Sequence, residues 1–166
     1  MVLGPDRFTE HAQEVINSAQ QILMRYRHNQ LDSEHILLAL IEQEKGVPAE
    51  IFKELGVNLD VLHASLHKLL ESSPKVGGQR NQIYQTPTVG LLFQLADSES
   101  KRFNDEFIAT EHVLIALADK SMPSTSSMLG EFSVTSEEIY KALKKIRGAH
   151  RVTDQKAESR YRSLEK

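Results

Sequence analysis

The chain lacks cysteine and tryptophan entirely, and only 6% of its 166 residues are aromatic. Without cysteine there are no disulfides and no thiolate catalysis, and a reducing cytoplasm is the expected setting. No apolar run approaches the ~20 residues of a membrane span. The start, Met1-Val2-Leu3-Gly4-Pro5-Asp6-Arg7, lacks the basic and apolar stretches of a secretory signal. Neither sign of charge dominates: 20 Lys and Arg face 23 Asp and Glu, for a net charge of −3. That balance argues against a nucleic-acid surface, which usually shows a basic stripe. Catalytic signatures are missing too. There is no Gly-x-Ser-x-Gly elbow, no phosphate-binding loop with its lysine and no Gly-x-Gly-x-x-Gly run. The chain is therefore expected to be no enzyme by itself, to hydrolyse no ATP, and to need no metal or cofactor.

What is present is a module written twice. Ser33-Glu34-His35-Ile36-Leu37-Leu38-Ala39-Leu40 returns as Thr110-Glu111-His112-Val113-Leu114-Ile115-Ala116-Leu117, 77 positions later. The same offset pairs Thr9 with Thr86, Val15 with Leu92, Ile16 with Phe93, Ala19 with Ala96 and Leu31 with Ile108. It reads as slipping where Leu55-Gly56 meets Leu129-Gly130, and returns for Leu62/Ile139, Leu66/Leu143 and Leu69/Ile146. Two copies are too few for a solenoid. They are enough to bury two apolar faces against one another, as a two-fold interface does between subunits.

Each copy reads as helices. Phe8, Ala12, Val15, Ile16, Ala19, Ile22, Leu23 and Tyr26 follow the three-and-four spacing of one helical face. Thr9 is placed to cap that helix, and Thr86-Pro87 opens its counterpart with proline at the first helical position. Ser33 and Thr110 are the expected caps of the second helices, with Gly46 as a stop in copy one. Third and fourth helices carry Ile51, Phe52 and Leu55, then Leu62, Leu66, Leu69 and Leu70. Thr135-Ser136-Glu137-Glu138 fits a capping box. In copy two, Thr125 and Ser126 fall opposite Ile51 and Phe52, so this stretch is expected to fray or lie exposed. Fold class is all-α: a pseudo-two-fold duplication of a four-helix repeat, about eight helices, with repeats over 8–71 and 86–148. Ser72 to Gln85 joins them as a turn-rich, mobile linker. Arg151 to Lys166 has too few apolar residues to offset its ordering entropy, and 149–166 reads as a tether.

The Glu-His pairs invite a metal or acid–base reading. Neighbouring helical side chains point ~100° apart, so Glu34 and His35 do not easily share one ion. A carboxylate in the first helical turn is already favoured by the helix dipole. His63 and His67 are four apart, a two-ligand metal spacing, but no third ligand is evident. The structural reading is preferred at both places.

The duplicated starts at Phe8-Thr9-Glu10 and Thr86-Pro87-Thr88, the Ser/Thr-Glu-His-Ile/Val-Leu cores and the Leu-Gly turns together resemble the amino-terminal domain of the Clp AAA+ unfoldases. The resemblance covers Arg7 to Gly148, and Val152 to Glu158 resembles the linker into the first ATPase ring. It implies a domain without enzymatic activity that captures unfolded or aggregated clients, or an adaptor, for a hexameric, stress-responsive ATPase. ATP and Mg are then expected only in that missing ATPase portion, and the isolated domain is expected to be a monomer. The alternative is a regulatory docking domain for a dedicated adaptor of a Clp protease. By motif, the resemblance implies substrate roles for Thr9, Asp105 and Glu111. In some relatives the Glu of each Glu-His pair receives the guanidinium of phosphoarginine, which maps onto Glu34 and Glu111. Here Asp32 and Glu106 add negative charge that would repel a phosphate, and the tail leans towards ClpB. Clients are expected along the seam between the copies.

Overall fold

Threonine opens both long helices. Thr9 Oγ1 accepts from Ala12 N at 3.2 Å at the start of α1 (Glu10–Arg25), and Thr86 Oγ1 accepts from Val89 N at 3.4 Å at the start of α5 (Pro87–Arg102). Each cap satisfies one amide that the first turn leaves orphaned. The computed structural model describes residues 4–76, 82–148 and 152–156. Between and after the long helices come α2 (Ser33–Glu42), α3 (Val47–Glu54), α4 (Leu59–Ser72), α6 (Thr110–Leu117), α7 (Pro123–Glu131) and α8 (Ser136–Arg147). Two two-residue strands, β1 (Gln30–Leu31) and β2 (Tyr84–Gln85), pair in parallel.

The halves are clasped reciprocally. The residue before α5 pairs with the strand before α2, and the residue before α1 pairs with the segment before α6. Thr86 N donates to Leu31 O at 3.0 Å, and its mate Thr9 N donates to Ile108 O, also at 3.0 Å. Phe8 and Ile108 form the isolated bridge that matches Gln85 and Leu31. Inside this clasp lie α2 and α6. Ile36 to Ile41 and Thr110 to Leu117 are buried without interruption, and such all-round burial needs partners on every side. Those partners come from both copies: α1 packs on α2 and α6, α5 on α6 and α2, and α3 on α6 and α8. One core serves both halves.

Several local expectations need correcting. The 77-residue register never slips. Gly56 (φ 67°) and Ser133 (φ 63°) occupy the same left-handed turn, and Val57 N→Phe52 O is matched by Val134 N→Leu129 O. Serine in a conformation that glycine adopts freely hid the match. The true mates of Ile51 and Phe52 are therefore Met128 and Leu129, with Leu129 fully buried. The stretch expected to fray is the helix α7, where buried Thr125 donates its hydroxyl to Leu117 O at 2.7 Å. Satisfying the hydroxyl removes most of the burial cost of a polar side chain. The caps of the second helices are Asp32 and Ala109, one residue earlier than Ser33 and Thr110. Gly46 is not a stop but the residue before α3, with α2 already ended at Glu42.

The joining stretch and the tail are tied down where they are described. Val76 N donates to Arg27 O at 2.8 Å and Tyr84 N to Asn29 O at 2.7 Å; residues 77–81 lie outside the described residues. In the tail Val152 is fully buried, its carbonyl accepts from Glu106 N at 2.7 Å, and Gln155 O accepts from Glu10 N at 3.0 Å. One valine with a ladder of backbone bonds suffices, so composition alone misplaced where the folded body ends. Residues 157–166 lie outside the described residues.

Ile16 also departs from expectation. Val15, Ala19, Leu92 and Ala96 are buried as their register requires, but Ile16 and its mate Phe93 are only partly buried. Leu92→Ala is expected to cost ~2–5 kcal/mol, as for a fully buried leucine. Ile16→Ala should cost less than half of what Leu92→Ala does. Urea denaturation of the two variants beside the parent checks the ranking; equal losses would place Ile16 in the core.

Candidate functional site

Ile16 and Phe93 face a groove of ≈ 530 Å³ between α1 and α5. Its walls are built from mates. Phe8 and Gln85, Gln13 and Gly90, Ile16 and Phe93, and Asn17 and Gln94 all line it, each pair 77 positions apart. The groove therefore straddles the pseudo-two-fold relation between the copies. Phe8 packs edge-on to Phe93 at 5.5 Å between ring centroids. Gln13 Nε2 donates to Pro5 O at 2.9 Å and Phe8 O at 3.0 Å, fixing the entry to α1. None of the described residues that line it is charged, in a chain in which 26% of residues are. Apolar side chains interleaved with the carboxamides of Gln13, Asn17, Gln20, Gln85 and Gln94 suit a neutral ligand that is part apolar and part amide.

The residues that resemblance singled out lie elsewhere. Thr9 is fully buried as a helix cap. Asp105 and Glu111 are buried around Arg147, at the end of α8. Arg147 Nη1 and Nη2 donate to the two Asp105 carboxylate oxygens at 2.8 and 2.7 Å, and Nη1 lies 3.4 Å from Glu111 Oε2. Asp105 also accepts from His112 Nε2 at 2.7 Å and from Val152 N at 2.7 Å. Burial pushes the Asp105 carboxyl up, but hydrogen bonds from His112 and Arg147 outweigh it and hold the group below the ordinary aspartate range. The guanidinium stacks over Phe103 with 5.1 Å to the ring centroid. Glu111 thus already has a guanidinium beside it, from its own chain.

Copy one solves the same position without charge. His28 is the mate of Asp105, His35 of His112, and Leu70 of Arg147. His35 Nδ1 accepts from Asp32 N at 3.0 Å, as His112 Nδ1 accepts from Ala109 N at 2.8 Å. In both copies the Glu-His histidine closes the helix start, which puts its proton on Nε2. His35 Nε2 then donates to His28 Nδ1 at 2.9 Å. Burial, then His28, push the His35 imidazole down to about 4. Glu34, the fourth singled-out residue, is half-buried; Ser33 Oγ donates to it at 2.9 Å, and burial and then Asp32 raise its carboxyl. It borders a separate pocket with Asp32, His28 and Lys75. The structure brings Asp105 and Glu111 together and leaves Thr9 and Glu34 apart from them.

His63 and His67 do not converge. His63 Nε2 sits 3.1 Å from Glu42 Oε2, which also receives Arg25, and His67 Nδ1 lies 2.6 Å from Tyr26 Oη. The sequence reading missed Arg147 and the groove amides. Their one signal was the interruption of the α1 and α5 apolar stripe by Gln13, Asn17 and Gln94.

Two outcomes are expected of the buried groups. Arg147→Leu, which copies its mate Leu70, leaves Asp105 and Glu111 uncompensated and is expected to cost ~3–5 kcal/mol in urea denaturation; a loss under ~1 kcal/mol would show the carboxylates to be solvated. For His35, the unfolded chain titrates near 6.5 and the folded chain near 4. The unfolded state therefore binds more protons between these values, so stability should fall as pH drops through that window and level off below it. Urea midpoints at pH 7 and 4.5 should lie closer together in His35→Gln than in the parent; an unchanged gap would put the proton uptake on other groups.

A family model described as the Clp repeat (R) N-terminal domain matches residues 7–132. Chaperone protein ClpB 2 of Nostoc sp. is 33% identical over 163 residues, which make up 98% of this chain and 18% of that protein. Chaperone protein ClpB of Gloeobacter violaceus is likewise 33% identical over 163 residues, covering 98% of this chain and 19% of the relative. The chain spans about a fifth of the length of these curated relatives. Among solved structures, the Hsp104 N-terminal domain from Candida albicans superposes with a TM-score of 0.78 at 20% identity, covering 91% of this chain and 98% of that one. The N-terminal domain of ClpV1 ATPase from E. coli gives 0.72 at 18% identity, over 90% and 89%. These structural likenesses establish the eight-helix fold, and with the family match and the ClpB relatives they lead to one assignment: the chain belongs to the Clp repeat N-terminal domain family.

Proposed function

We propose that this domain captures unfolded or aggregated protein segments in the groove between α1 and α5 and passes them to the ATPase ring of a cytoplasmic ClpB-type chaperone. The observation that carries the reading is the groove built from mates of both copies, whose described lining mixes apolar side chains with carboxamides and includes no charged residue. Exposed unfolded chains offer apolar side chains beside unpaired amides, and the groove offers Ile16 and Phe93, backed by the buried Phe8, beside the carboxamides of Asn17 and Gln94. A flat charged face would have favoured a dedicated adaptor instead. Nucleotide chemistry belongs to the rest of such a protein, where ATP and Mg would bind.

On this reading Thr9, Asp105 and Glu111 act on clients indirectly. Thr9 helps hold the two halves together through its backbone bond to Ile108, while Asp105 and Glu111 tie α6, α8 and the tail together within copy two, and none of the three touches what the groove binds. Glu34 lies outside the groove and has no part in capture there.

Fluorescein-labelled β-casein, titrated with the purified domain and followed by anisotropy, tests the assignment. Ile16→Gln should stay folded and bind about tenfold more weakly, the loss of one apolar contact being of order 1–2 kcal/mol. Asp105→Ala should lose binding only in proportion to the fraction unfolded. An Ile16→Gln protein that binds like the parent, or a folded Asp105→Ala protein that does not bind, moves the client site to the buried cluster.

A further inference from the structure

Gly90 is the fourth residue of α5 and sits partly exposed on the groove wall. Within helices glycine is the weakest former after proline, because it gives up the most backbone freedom. A helical glycine is usually explained by a positive φ or by a tight contact. Neither applies here. Gly90 is not among the positive-φ residues, and a Cβ built on it meets no atom within 4 Å. The fold has no need of the missing side chain.

Its mate shows what the position holds when filled. Gln13 places a side chain on the opposite wall and bonds it to Pro5 O and Phe8 O. The two walls are thus equivalent in origin and unequal in relief: α1 is furnished, while α5 is bare beside Phe93. A bare helix surface admits close approach of another backbone. Carboxamides nearby both donate and accept, as a main chain requires. That none of the described lining residues is charged sets the rest of the occupant's chemistry.

We propose that Gly90 is a specificity-determining notch, which lets the main chain of an extended, uncharged, apolar client segment lie directly against α5. The segment's side chains then meet Ile16 and Phe93, and its amides reach Asn17 and Gln94. This rests on the capture reading above and adds the position that selects the client's form. Side chains at Gly90 narrow the groove without disturbing the core.

The test uses a fluorescein-labelled, end-capped octapeptide of alternating leucine or valine with threonine or glutamine, and thermal melts of the same proteins. Gly90→Ala should raise Tm, since alanine is the better helix former, and yet weaken the peptide by about threefold. Gly90→Gln, which copies the opposite wall, should weaken it by about tenfold. A peptide with lysine at the polar positions should bind the parent about tenfold more weakly than the neutral one. If both Gly90 variants bind like the parent while Ile16→Gln does not, the groove captures clients and the notch proposal falls alone. If Ile16→Gln also binds like the parent, the groove reading falls with it. A lower Tm for Gly90→Ala would show that the fold does require the glycine and would overturn the proposal.

Discussion

Two helices as apolar as α2 and α6 cannot be left to solvent, and the whole architecture answers to that. Burial is complete round α6 and nearly so round α2, where only Glu34 and Glu42 are part-exposed, yet one copy supplies too few elements to surround either. Each therefore needs cover from the other half, and the reciprocal bonds Thr9 N→Ile108 O and Thr86 N→Leu31 O set the halves in the one arrangement that provides it. The groove is a by-product of this geometry. Where α1 and α5 approach across the seam, their outermost apolar side chains have no third helix to cover them.

Duplication fixed the backbone and left the chemistry free to diverge. At one pair of equivalent places the chain has used two hydrogen-bonded imidazoles in copy one and an aspartate–histidine–arginine cluster in copy two. Both close the same helix start. Only the second also anchors the tail, through Val152 N. Buried charge is costly unless fully partnered, and this cluster meets that demand with hydrogen-bonding groups drawn from separate segments. It is where the last helix, the second copy's central helix and the tail are joined.

Much of this was legible from residues alone. The 77-residue offset gave the eight helices, the pseudo-symmetry and the shared core, because apolar periodicity and capping threonines are local signals. What escaped was non-local. Ser133 in a left-handed turn broke the visible register, since sequence comparison expects glycine there. Val152 looked like part of a polar tether because its burial depends on Asp105 and Glu106, far away in sequence. Asp105 and Glu111 were singled out, with Thr9, by the motif as residues that act on substrate. That they face inward to Arg147 was invisible, as nothing local links position 147 to position 105. Ile16 failed in the opposite sense, since periodicity places it on the apolar stripe without saying where the stripe runs out of partners.

The anchored tail has a mechanical consequence. Gln155 O holds Glu10 N, and Gln155 Nε2 donates to Phe8 O, so the chain leaves the body alongside the first turn of α1. The last described residues are thereby held against the groove's own rim, at Phe8. A pull along this segment would be felt first at Phe8 and at Glu10, where α1 begins.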